Sequence, residues 1–278
     1  LKRGNSFLVP NEARNVISGK WVYKIKRDSE GNIVRYKARW VARGFSQRKD
    51  VDFTEIFAPV VRYSSIRLLL HLARAAGLTC YGLDVSNAFA RADVDSEDLY
   101  VQQPHGYAVV DKNGVPFVCR LKKGLYGTKQ AARLWHTTLR THLASDGWCQ
   151  LESDPCVFVR VTAEHGRELL SCWVDDIIHC CSSQQAHDRF LASCQSVFPT
   201  TSQGELHWIL GMRVQSDSIA QTVSLDQSRA ILEFTESKIV ASRPVSKRAA
   251  STPMERDWAY GSESATTDPD DILYFRSC

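Results

Sequence analysis

Hydrophobic and polar positions change period along this chain, and each change predicts an element. Residues 21–26 and 33–41 alternate with period two around a turn-forming cluster at 28–32, which predicts a β-hairpin carrying many basic residues on one face. Ser64-Ser65 precedes Ile66, Leu69, Leu70 and Ala73 at helical spacing, and Gly77 stops the run; the hydroxyls read as the N-cap of a helix. Residues 79–85 read as a buried strand that leads directly into Ser86-Asn87-Ala88-Phe89. Residues 99–101 and 117–121 predict a strand pair, and 129–145 a long helix with Leu134, Trp135, Leu139 and Leu143 on one side and Gly147 as its stop. Residues 156–161 and 168–174 predict a second hairpin, which runs into Asp175-Asp176 and an apolar continuation at 177–180. Beyond it come a helix over 184–197, a small sheet from 208–214 and 222–225, a capped helix over 226–238, and a linker rich in Ser, Thr, Asp and Pro from Ser251 onward. Helices alternating against an antiparallel-type sheet make this an α+β sandwich.

Composition narrows the class. With 278 residues, 44% hydrophobic and 24% charged, the chain is globular rather than disordered. The longest apolar candidate, 68–78, is broken by His71 and Arg74, so no membrane span is expected. Nine cysteines, none in a Cys-x-x-Cys pair, indicate neither a disulfide framework nor a zinc module, and they fit a reducing intracellular setting. Leu1-Lys2-Arg3 has neither an initiator Met nor a secretory apolar region and reads as the start of a cut piece of a longer polypeptide.

The net charge of +4 conceals a division. Residues 20–49 carry +8 and residues 112–145 carry +7, which leaves −11 for the rest of the chain. Such segregation points to a polyanion-binding face on an otherwise acidic protein, although basic patches without function are also common on soluble domains. Asp175-Asp176 stands between two apolar runs, where paired like charges are costly unless a divalent cation neutralises them. A tight turn with both carboxylates in solvent is the bland alternative. Asp84, at the end of another apolar strand, shifts the balance: adjacent strands can bring all three together as an oxygen-rich site suited to Mg2+.

The ordered series Arg35-Tyr36-Lys37-Ala38-Arg39-Trp40-Val41-Ala42-Arg43-Gly44-Phe45, Phe57-Ala58-Pro59-Val60, Leu83-Asp84-Val85-Ser86-Asn87-Ala88-Phe89, Gln103-Pro104-His105-Gly106-Tyr107, Leu125-Tyr126-Gly127-Thr128-Lys129-Gln130-Ala131, Trp173-Val174-Asp175-Asp176-Ile177 and Leu210-Gly211 resembles the reverse transcriptase of Ty1/copia-type retrotransposon Pol polyproteins, over about residues 5–253. The resemblance implies a right-hand polymerase. Residues 1–60 would be fingers with the basic hairpin, and 61–200 a palm with a fingers return near 100–130. Residues 201–250 would be the palm end and a partial thumb, and 251–278 a linker toward a ribonuclease H region. It implies Asp84, Asp175 and Asp176 as catalytic carboxylates holding two Mg2+ ions (Mn2+ as a substitute), with the carbonyl of Val85 as a further ligand. Phe89 matches the aromatic gate against a ribose 2′-OH, and Tyr126 and Gly127 match the segment lining the incoming nucleotide. Lys26, Lys37 and Arg39 are candidates for the triphosphate; Arg43, Lys122, Lys123, Lys129, Arg133 and Trp173 are candidates for the nucleic acid.

The implied partners are an RNA template, a DNA or tRNA primer, dNTP, and the integrase and ribonuclease H parts of a polyprotein, in a cytoplasmic virus-like particle or the nucleus. Four departures from the family pattern stand out: Trp173 for Tyr, Thr128 for Leu, Ala131-Ala132 for Ala-Pro, and Ala90-Arg91-Ala92 where Leu and Gly are usual. They leave open a degenerate copy, a palm-fold relic that binds nucleic acid without catalysis. Another palm-fold nucleotidyl transferase, such as a cyclase, accounts for the carboxylates but not for Tyr126-Gly127 or the basic hairpin. His71, His136, His179 and His187 read as structural or surface residues, and the cysteines as small apolar fillers.

Overall fold

The computed structural model describes residues 5–11, 15–27, 32–95, 99–217 and 219–235. Most of the 28–32 turn cluster, the end of the 226–238 helix and the linker from Ser251 lie outside them. In chain order the elements are β1 (Ser6–Val9), β2 (Val16–Ile17), β3 (Gly19–Arg27), β4 (Ile33–Ala42), α1 (Tyr63–Ala75), β5 (Thr79–Val85), β6 (Tyr100–Gln102), β7 (Val118–Leu121) and α2 (Ala131–Ser145). These are followed by β8 (Cys149–Gln150), β9 (Val157–Thr162), β10 (Gly166–Trp173), β11 (Asp176–Cys181), α3 (Gln184–Val197), β12 (Thr200–Glu205), β13 (Trp208–Ile209), β14 (Met212–Asp217), β15 (Thr222–Asp226) and α4 (Ser228–Thr235). Two compact units emerge. Among the described residues, the first runs to Ile209 and includes Val214–Ser224; the second consists of Leu210–Arg213 and the residues from Leu225 to Thr235.

The first unit is built on a six-stranded sheet of order β12-β5-β11-β10-β9-β8, whose pairs are all antiparallel. Side chains alternate between the faces of a strand, so Tyr81, Leu83, Ile177 and His179 share one face and Gly82, Asp84, Asp176 and Ile178 the other. Helix α3 covers the first face: His187 stacks on Tyr81 with ring centroids 4.0 Å apart, and Phe190 packs on His179. From α2, Trp135 meets Phe198 edge to face beside it. Burying these large side chains on one side leaves the aspartates on the side those helices do not cover.

Helix α1 corrects the expected cap. It begins at Tyr63, so Ser64 and Ser65 lie in its first turn. The capping oxygen comes instead from Asp154, 92 residues along the chain, which accepts the backbone N–H of Arg62 at 3.0 Å and also the Ser65 hydroxyl. A local hydroxyl signal cannot reveal such a distant partner.

A smaller sheet of order β1-β7-β6-β2 buries Ile17, Leu99, Val101 and Leu121 with Ala42 from the hairpin. Hairpin β3–β4 forms a sheet by itself. Its register pairs Trp21 with Trp40, Lys24 with Lys37 and Lys26 with Arg35, so one face presents Lys20, Lys24, Lys26, Arg35, Lys37 and Arg39. The other presents Trp21, Tyr23, Ile25, Tyr36 and Trp40.

Candidate active site

Asp84 and Asp176 are direct cross-strand partners on β5 and β11. The N–H of Val85 donates to the carbonyl of Asp175 at 2.9 Å, which makes Val85 and Asp175 the hydrogen-bonded pair. Asp84 and Asp176 therefore form the close, non-hydrogen-bonded pair, with Cα atoms about 4.5 Å apart. Asp175 occupies the two-residue turn between β10 and β11 together with Val174, whose φ is +55°. The three carboxylates expected from the sequence thus meet at one sheet end. All three are half-buried.

Their electrostatics record the crowding. Asp176 is pushed up to about 6, first by burial and then by the charges of Asp175 and Asp84. Asp84 is raised too, by burial and by Asp175, and the cations Lys37 and Lys26 partly oppose the rise. Reciprocally, the Lys37 ammonium is lowered by burial and by its neighbours Arg39, Lys26 and Arg35, while Asp84 opposes the fall. The cationic hairpin face and the acidic sheet end are within each other's field.

Between them lie Phe89 and Tyr126. Phe89 sits in a short 3-10 turn (Ala88–Arg91), and its ring centroid is 4.8 Å from that of Tyr126. The Arg39 guanidinium lies 5.4 Å from the Tyr126 ring centre and also bonds its hydroxyl. The Tyr126 carbonyl accepts the N–H of Ala42 at 2.8 Å, which ties this segment to the base of the hairpin. Gly127, at φ +88°, presses on the Ala42 carbonyl so closely that a Cβ there would overlap it, and Gly44 meets the Gly127 carbonyl in the same way.

The remaining predicted residues separate into two kinds. Arg43 is exposed, and Lys122 is exposed with its ammonium 3.5 Å from the Phe7 ring centre. Lys123 pairs with Asp93 at 2.7 Å, and Arg133 pairs with Asp95 and donates to the Glu55 carbonyl. Lys129 lies over Phe53 and donates to the carbonyl of Gln47. Trp173 is half-buried, 6.1 Å from the Tyr63 ring. The buried Val85 lies beside Asp84 on the opposite sheet face.

Sequence reasoning missed two features. Trp135, read as a core residue, donates its indole N–H to the carbonyl of Val174 at 2.6 Å. Behind the sheet, Glu168 is fully buried and is bonded by Arg160 through both carboxylate oxygens, by Arg189 and by His179; His179 meets His187, which reaches Ser202. Burial favours protonation of Glu168, but His179 and Arg160 prevail and hold it down to about 2. No spacing signal marks such a cluster, because its members come from four strands and a helix.

The donor set suits a hard cation, being all oxygen and electrostatically overloaded. Among the described residues, however, no three His, Cys, Asp or Glu side chains converge closely enough to enclose a metal ion. A cation would have to draw the carboxylates inward, relieving the repulsion that lifts Asp176.

An acidic end on an antiparallel sheet thus faces a basic hairpin, and the chain belongs to the reverse transcriptase (RNA-dependent DNA polymerase) family, whose model matches residues 7–243. Its curated relatives are Pol polyproteins of the Ty1/copia type. The Pol polyprotein of transposon TNT 1-94 from Nicotiana tabacum is 36% identical over 217 residues, covering 78% of this chain and 16% of that protein. Transposon RE2 from Arabidopsis thaliana is 32% identical over 88% of this chain and 16% of its own length. A truncated Ty1-A Gag-Pol polyprotein from Saccharomyces cerevisiae is 27% identical over 73% of this chain and 16% of its length. The chain therefore spans about a sixth of these relatives. A solved structure of apo telomerase from Candida Tropicalis aligns with 82% of this chain and 52% of its own at 12% identity and a TM-score of 0.39. Reverse transcriptases generally use divalent metal ions. No helix among the described residues is long and apolar enough to cross a membrane.

Proposed function

We propose that this chain is an RNA-directed DNA polymerase domain that extends a primer with deoxynucleotides. The observation that carries the reading is the Asp84–Asp176 cross-strand pair, with Asp175 on the adjoining turn and the Lys26–Lys37 face opposite. In the reaction the primer 3′-oxygen attacks the α-phosphorus of a dNTP. A new P–O bond forms, the bond to the β-phosphate oxygen breaks, and pyrophosphate leaves while the hydroxyl proton passes to solvent. Two Mg2+ ions bound by Asp84, Asp175, Asp176 and the carbonyl of Val85 would supply Lewis acidity at the attacking and leaving oxygens.

The chain's own residues do the rest. Lys26, Lys37 and Arg39 counter the triphosphate charge, and their shared strand face lets them act together. Tyr126, held by Arg39 and by its carbonyl bond to Ala42, forms the floor for the nucleotide, and Gly127 admits the hairpin base closely enough to hold that floor still. Phe89, braced on Tyr126, fills the space of a 2′-OH. Arg43, Lys122 and Trp173 are the stronger candidates for template and primer, because Lys123 and Arg133 already hold acidic partners.

In this reading the six-stranded sheet is the palm (61–200), residues 1–60 with hairpin β3–β4 are the fingers, and residues 201–250 are the palm end and partial thumb. Integrase and ribonuclease H regions of a polyprotein would be its neighbours, and a virus-like particle its setting. Primer extension on an RNA template with Mg2+ is the test. Activity lost in Asp175→Asn and in Asp176→Asn supports the assignment, and activity that survives both removes it. The Trp173 departure favours a second reading, a folded relic, which predicts salt-sensitive RNA binding without extension.

A further inference from the structure

The turn that carries Asp175 is built against local preference. A two-residue β-hairpin with positive φ at its first central position calls for glycine there, and Val174, a β-branched residue, occupies it at +55°. Backbone in this region persists only when its surroundings over-determine it. Here two carbonyls are held. That of Asp175 accepts the N–H of Val85 as part of the β5–β11 ladder, and that of Val174 points out of the ladder. Its partner is the indole N–H of Trp135 at 2.6 Å, from helix α2, 39 residues earlier.

Packing does not seal the turn completely: a small cleft of about 30 Å3, room for about one water, adjoins it, lined by Pro59, Phe89, Ala132, Trp135, Leu139 and Val174 among others. The peptide plane joining Val174 to Asp175 carries the Val174 carbonyl and the Asp175 N–H. A half-turn of that plane would swing both and re-aim the Asp175 side chain. Trp135 has no such freedom, being 2% exposed and wedged edge-on against Phe198 at 5.1 Å.

We infer that Trp135 is a positioning residue for the polymerase reaction: its indole N–H latches the Val174 carbonyl and so fixes the direction in which Asp175 presents its carboxylate. This rests on the polymerase reading above. Loss of the latch leaves the sheet and the nucleotide floor intact and misdirects one of three carboxylates.

The decisive variant replaces Trp135 with 3-benzothienylalanine, in which sulfur stands for the N–H and the bicyclic shape is kept; Trp135→Phe is the simpler companion. Single-turnover incorporation separates the rate of the bond-forming step from dNTP affinity, and Mn2+ binding followed by electron paramagnetic resonance gives a readout independent of turnover. Expected for the isostere are a rate and a Mn2+ affinity each lower by about 10–100-fold, with dNTP affinity and melting temperature unchanged. Wild-type rate and Mn2+ affinity in the isostere would make Trp135 a packing residue and overturn the inference. So would a fall in melting temperature that accounts for both losses. A wild-type chain that binds Mn2+ but extends no primer defeats the polymerase reading alone, since the isostere's Mn2+ affinity still decides the latch. One that neither binds nor extends defeats both.

Discussion

Asp84 and Asp176 face each other across β5 and β11 in the close type of antiparallel pair, on the sheet face that α2 and α3 leave uncovered. Like charges directly opposite destabilise a sheet. The fold retains this cost at the sheet end that gathers Asp84, Asp175 and Asp176.

Asp176→Asn should therefore stabilise the protein while removing activity. The folded-state pKa of about 6 lies above the unfolded value, so Asp176 favours folding at low pH, and that contribution is lost as pH rises through 6. With solvent screening of a half-buried group, the gain at pH 7.5 in chelator is about 1 kcal/mol, and none is expected near pH 4. Thermal melts of both proteins at the two pH values check it, and an Asn variant that melts lower at pH 7.5 would contradict the repulsion. Added Mg2+ should raise the wild-type melting temperature more than that of the variant.

Gly127→Ala tests the junction between the hairpin and the Tyr126–Gly127 segment. Both the left-handed φ and the Ala42 carbonyl oppose a Cβ, so a loss of about 3 kcal/mol is expected. A urea midpoint that barely moves would show that the junction can yield.

Phe89→Ala should relax sugar discrimination. Removing the ring that leans on Tyr126 opens the space assigned to a 2′-OH, and the preference for dNTP over rNTP should fall about tenfold or more. Competitive incorporation measures it. Unchanged discrimination with unchanged Mn2+ affinity makes Phe89 a packing residue.

Acid should loosen the sheet from behind. His187 is lowered to about 4, first by burial and then by His179, so the folded state resists its protonation. Its contribution is complete above the unfolded pKa near 6.5 and is lost as pH falls toward 4, at up to about 1 kcal/mol per pH unit. His187→Gln should flatten that part of the stability profile. The Asp176 effect runs in the opposite direction over part of this range, so chemical denaturation of the His187→Gln and Asp176→Asn variants separates the two. A profile unchanged by His187→Gln would assign the acid sensitivity elsewhere.

Much of this was legible in the chain itself. Period-two alternation located β3 and β4, apolar runs located β5, β9 and β10 and the continuation that forms β11, and helical patterning located α1, α2 and α3, because buried strands and amphipathic helices write their burial into consecutive residues. The three aspartates stood out because charge at the ends of apolar runs is costly wherever it occurs. Short strands such as β2 and β8 left no signal, being too brief for a period to register. The partners of side chains were likewise out of reach: Asp154 capping α1, Trp135 holding the Val174 carbonyl, and Arg160, Glu168, His179 and His187 joined beneath the sheet. Those contacts join residues up to 92 positions apart, and their distances and angles are set by how strands register and helices pack. The sequence determined which chemistry this protein carries, since residue types and their periods are local properties. Only the tertiary structure decided how Asp84, Asp175 and Asp176 are aimed and what holds them there, because orientation depends on bonds between segments that no local pattern encodes.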